Sequence, residues 1–96
     1  MDKEEARNIL DQEMELLQAK SYSELAALID SVQMMERTGP SGTSYQIEVL
    51  VLWDHPRKPN EVIRVIAAID DGGLFSSFKP MTADFLIDPD GNLVGE

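Results

Sequence analysis

The apolar positions change period once along the chain. Up to about residue 30 they recur as on a helix, and from residue 32 onward they alternate as on a strand. Ala6, Ile9, Leu10, Met14 and Leu17 follow one another at spacings of three and four, a stripe opposed by a face carrying Asp11, Glu13 and Glu15. Asp2, with Glu5 three residues on, supplies a cap and early acids for the positive end of the helix dipole, so a helix is predicted to about Lys20. Ser21 and Glu24 have capping-box spacing and open a second, short helix that ends near Asp30. Its Tyr22, Leu25, Ala26, Leu28 and Ile29 are available to pack.

The segment from Val32 to Thr38 reads as an edge strand, and Gly39-Pro40-Ser41-Gly42 as the turn that leads out of it. Two long strands follow, Thr43 to Asp54 and Asn60 to Asp71, joined by a turn bracketed by Pro56 and Pro59. Tyr45, Ile47, Val49, Val51 and Trp53 share one face with Ile63, Val65, Ala67 and Ile69, which makes that face the core. A turn centred near Arg57 sets 54 opposite 60 and 50 opposite 64, with Glu48 diagonal to Arg64. The other face carries Gln46, Glu48 and Arg64 together with Leu50, Leu52, Val62, Ile66 and Ala68, more apolar than a wetted face requires.

Beyond Asp71, Gly72 and Gly73 permit a sharp change of direction, and an apolar connection follows with Leu74, Phe75, Phe78 and Met81. It is expected to pack down over the open sheet face. Ala83 to Asp88 gives a fourth strand, closed by the turn Asp88-Pro89-Asp90-Gly91. The pattern predicts one α+β domain over residues 1–96, with two N-terminal helices packed on one face of a four-stranded antiparallel meander sheet.

Length agrees with this, since 96 residues bury roughly 60 to 70% of their unfolded surface, enough for one modest core. With no cysteine, disulfides and thiolate metal sites are excluded. No apolar run approaches a membrane span, and the acidic start lacks the basic and apolar parts of a signal peptide, so the expected setting is the cytoplasm. A formal charge of -10 repels phosphate backbones and anionic membranes. It leaves solubility, or a basic protein partner, as its use.

Several stretches together resemble a small bacterial family of uncharacterised proteins: Thr38-Gly39-Pro40-Ser41-Gly42-Thr43 followed by Tyr45-Gln46-Ile47-Glu48-Val49, then Trp53-Asp54, the run from Arg64 to Gly73, and Phe85 to Gly91. The resemblance covers most of the chain. It implies no activity, cofactor or catalytic residue.

The candidate chemistry is sparse. A meander brings Asp54, His55, Glu61, Asp88 and Asp90 to one edge, where carboxylates beside the chain's single imidazole are parts for acid-base or metal chemistry. No second histidine or cysteine completes a zinc site, and no serine sits in a nucleophile-elbow pattern, so neither a catalytic nor a metal role is assigned. Asp88 to Asn92 has only half the acids of a calcium loop, and Asp, Pro and Gly there suit an ordinary turn. Asp70, Asp71 and Asp84 are expected as a second acidic group at the opposite edge, with magnesium or plain solvation as readings. Gly72-Gly73 precedes an extended stretch rather than a helix, so no nucleotide cofactor is implied. Trp53, Tyr22 and Tyr45 read as packing residues.

Three functions fit. The first is a non-enzymatic interaction or structural module, a homodimer through Leu50, Leu52, Val62, Ile66 and Ala68. The second is an acidic inhibitor or immunity-type protein meeting a basic partner through the helix acids. The third is a small-ligand or enzymatic domain with a pocket between helices and sheet.

Overall fold

The computed structural model describes residues 2–72 and 80–95. In chain order its elements are α1 (Lys3–Gln18), α2 (Tyr22–Ala26), β1 (Val32–Thr38), β2 (Ser44–Trp53), β3 (Ile63–Asp70), β4 (Met81–Ile87) and β5 (Leu93–Val94). The strands lie side by side in that same order, each antiparallel to the next, so the sheet is a meander. The α+β class and the antiparallel sheet match expectation, but the sheet has five strands. The fifth, Leu93–Val94, pairs with Leu86 and Ile87. Two residues carry no alternation to read, which is why the pattern does not reveal it.

α1 is capped as its sequence suggests, with the Glu5 amide donating to the Asp2 carboxylate at 3.1 Å. It ends at Gln18 and α2 at Ala26, both short of the expected limits, and Asp30 takes a left-handed φ of 64° before β1 begins. Glu13 corrects the expected solvent face of α1. Three residues from Leu10 and four from Leu17, it borders the apolar stripe and is only 5% exposed, and Arg37 of β1 meets it at 2.9 Å.

Both helices pack on one face of the sheet. Ala6, Leu10 and Leu17 of α1 and Leu25 of α2 close over Tyr45, Ile47, Val49, Val51, Ile63, Val65, Ala67 and Ile69, with Phe85 and Ile87 from β4. Fully burying a Leu, Ile or Val side chain contributes about 1.5 to 3 kcal/mol, so this layer is the main source of stability. Trp53 is half-buried at its border.

The β2–β3 hairpin is centred on Lys58, one residue later than expected. Trp53 lies opposite Ile63, the Asp54 amide donates to the Val62 carbonyl, and the loop between contains a turn closed from Lys58 to His55 and Asn60 at φ 66°. Glu48 therefore faces Ala68 and Arg64 faces Leu52, so the expected Glu48–Arg64 diagonal does not form.

The Thr38 to Thr43 turn is closed by its backbone and by a carboxylate from α1. Gly39 and Thr43 form a hydrogen-bonded pair around a three-residue loop, and Gly42 at φ 89° takes the left-handed place that this hairpin needs. Inside the turn sits Glu5 from α1. Its carboxylate accepts the Ser41 amide at 2.9 Å, the Ser41 hydroxyl at 2.7 Å and the buried Tyr45 hydroxyl at 2.7 Å. These donors, the Ser41 hydroxyl foremost, hold the Glu5 carboxyl below its ordinary pKa, and the bond from Tyr45 to Glu5, with burial, pushes Tyr45 up to about 12. Helix and hairpin are thus joined at one carboxylate.

Candidate interaction face

The strand register builds the face that the helices leave bare. Leu50 of β2 lies between Val32 of β1 and Ile66 of β3, and on one side of this row Glu48 lies between Met34 and Ala68. On the other, Arg64 lies between Leu52 and Leu86, and Leu86 pairs with Val94 of β5. Leu50, Leu52, Val62, Ile66 and Ala68 are half-buried, and Leu86 is covered. The band reaches open solvent at Val32 and Met34, which are 54% and 62% exposed. Among the described residues no helix packs on this side. The connection expected to cover it lies outside the described residues, apart from Pro80, which borders a hollow beside Met34 and Ala68, and Met81, which lies in β4 opposite Ile69 and packs on the helix-side core instead.

Arg64 stands within this apolar band, and two carboxylates neutralise it. Its Nε donates to Asp54 at 3.0 Å and its Nη1 to Asp84. Asp84 therefore does not join Asp70 and Asp71. It lies opposite Ile66, four positions along the strand from the Asp70 end, while Asp70 accepts the Gly72 amide at 2.7 Å in a local turn. At these exposures the ion pairs contribute about 0 to 1 kcal/mol each, so their main effect is to orient the guanidinium.

The band ends at β1, a seven-residue strand at the edge of the sheet. The Gly39–Thr43 pair fixes which way its backbone points. By the alternation of antiparallel pairs, Gln33, Met35 and Arg37 bond to β2, whereas the N–H and C=O of Val32, Met34, Glu36 and Thr38 point outward. Among the described residues, the one hydrogen bond seen to these groups runs from Arg37 Nη1 to the Glu36 carbonyl at 3.1 Å. On the helix side of the same edge lies a groove of about 430 Å³ between α1 and β1, floored by Val49 and walled by Leu16, Leu17, Leu28 and Met35. The Glu13–Arg37 pair holds one end and Lys20 the other. Leu16 is 61% exposed, so three of the four exposed large apolar side chains among the described residues lie in β1 or beside it.

The residues with candidate chemistry share one end of the sheet and are spent separately. His55 Nε2 lies 3.7 Å from Asp54, but Asp54 serves Arg64 and the imidazole is 70% exposed. Glu61 is exposed, and its backbone carbonyl accepts the Tyr22 hydroxyl at 2.6 Å. Burial above all, with the charge of Glu61, raises the pKa of that phenol. Asp88 accepts the amides of Asp90 and Asn92, which makes Asp88 to Asn92 a self-contained turn with Asp90 facing solvent. Among the described residues no three His, Asp or Glu side chains form a group that could hold a metal ion. None of the described helices is long and apolar enough to cross a membrane.

Sequence reasoning passed over Val32, Met34, Glu13 and Arg37. The first two were legible, because pairing back from the Gly39 turn puts them in phase with Leu50. The chain matches no family model, no curated protein and no solved structure.

Proposed function

We propose that this protein is a non-enzymatic interaction module, working in the cytoplasm, that self-associates through the helix-free face of its sheet and the β1 border of that face. One observation carries the reading. The apolar row Ile66, Leu50, Val32 is continuous from the middle of the sheet to its open edge, where Val32 and Met34 are more than half exposed. Contiguous exposed apolar surface of this kind marks protein contacts.

Native mass spectrometry and light scattering on the full chain test it, with a concentration-dependent dimer expected. Val32→Glu with Met34→Glu is the informative variant, since both side chains already meet water and their replacement spares the core. It should give folded monomers with an unchanged circular dichroism spectrum. Salt separates this reading from a basic partner, because two copies each carrying -10 associate more tightly as salt rises, whereas a basic partner is released. A wild-type chain that stays monomeric up to millimolar concentration overturns the proposal.

A further inference from the structure

We infer that self-association proceeds by strand addition, β1 of one copy pairing antiparallel with β1 of a second across an axis at Met35, so that two five-stranded sheets become one. The inference rests on the reading that the chain self-associates, and adds where and in what register.

The edges of the sheet differ in what they offer. β5 presents two residues, whereas β1 presents seven, with outward backbone groups at Val32, Met34, Glu36 and Thr38. An open edge of that length is a template for another strand. An axis at Met35 aligns the full length of β1 with itself. Val32 then faces Thr38 and Met34 faces Glu36 of the second copy, each outward N–H meeting an outward C=O. The Glu36 carbonyl that receives Arg37 keeps a lone pair for this bond.

Side chains on both faces support the same axis. On the bare face the exposed Met34 side chains of the two copies lie diagonal to each other beside the axis, while Val32 faces Thr38; on the other face the two Met35 side chains meet on the axis itself. On the helix face, Glu13 meets Arg37 near one end of β1, and Lys20, just beyond the end of α1, borders the same groove. Two-fold symmetry at Met35 turns one groove end for end against the other. The exposed Leu16 side chains then border the joint from its two sides. Apolar groups thus meet their own copies about the axis, as a self-complementary contact requires.

The test is Met34→Pro in the full chain. Proline there removes an outward N–H that β2 does not use, and edge strands tolerate it when that N–H faces away from the sheet. The dimer dissociation constant should rise by roughly tenfold to a hundredfold. Hydrogen exchange on the wild-type chain gives a second readout that needs no variant: Met34 and Glu36 amides should be protected in the dimer and exchange freely on dilution to monomer. Wild-type dimers whose Met34 and Glu36 amides exchange freely overturn strand addition and leave the self-association reading standing, as does a Met34→Pro chain that dimerises normally. A wild-type monomer at every concentration overturns both.

Discussion

β3 alternates two environments residue by residue. Ile63, Val65, Ala67 and Ile69 are fully covered on the helix side, while Ile66 and Ala68 between them are half-buried on the other face. β2 repeats this, with Ile47, Val49 and Val51 sealed and Leu50 and Leu52 half-buried. Both faces are apolar, so side-chain type alone does not separate them. What separates them is the second layer: α1 and α2 exclude water from one side, and among the described residues no helix does so on the other.

The same residue in the same strand gives the sharpest test of that difference. Ile69→Ala should lower unfolding stability by about 2 to 5 kcal/mol, because it opens a cavity among residues that cannot collapse into it. Ile66→Ala should cost about 1 kcal/mol, since part of that side chain meets water in both states. Urea titrations at one low protein concentration, where monomers prevail, measure both. Equal losses would mean that the bare face is covered within the monomer, and the contrast between the faces would disappear.

Much of this architecture was legible from local rules. The stripe of Leu10, Met14 and Leu17, the capping box of Ser21 and Glu24, and the alternation from Tyr45 to Val51 each record a repeating environment, and each forms as read. Misreadings arose where one residue decides a long-range relation. The β2–β3 loop places Asn60 at a left-handed φ, and a shift of one residue in the loop centre moved Arg64 from opposite Leu50, diagonal to Glu48, to opposite Leu52 and into reach of Asp54 and Asp84. Glu13 looked solvent-facing because its covering partner, Arg37, lies 24 positions away. The bare apolar face was visible in Leu50, Leu52 and Ile66, but its exit to solvent at Val32 and Met34 required pairing the short edge strand.

The contrast between faces also depends on α1 being held in place, and Gly39 is where that hold is tightest. A β-carbon built at Gly39 would lie 2.5 Å from Cδ of Glu5. Gly39→Ala should therefore cost about 1 to 3 kcal/mol, as overpacking does elsewhere. In a Glu5→Ala background the obstacle is gone, and the same change should cost much less. A double-mutant cycle by urea unfolding measures the coupling, and additive losses would show that Glu5 is not what the turn encloses.

The smallest expected effect is a pH dependence at this same joint, with opposite signs at its two ends. The folded state holds the Glu5 carboxyl below its ordinary pKa, the Ser41 hydroxyl being the largest cause. Its contribution is complete above the ordinary carboxyl value, about 4.3, and is lost as pH falls through the lowered one. Tyr45 works the other way, because folding pushes its phenol up to about 12. Its contribution is complete below the unfolded value, about 10, and is lost as pH climbs from there toward 12, where the folded phenol also ionises. Thermal melts from pH 3 to 11 should fall off at both ends. Glu5→Gln should flatten the acid arm, and Tyr45→Phe should flatten much of the alkaline one, leaving the part due to Tyr22, whose pKa burial also raises. Unchanged arms in both variants would mean that the bonds at Glu5 do not link α1 to the hairpin in solution, and the helix layer would then be held over the sheet by its apolar stripe alone.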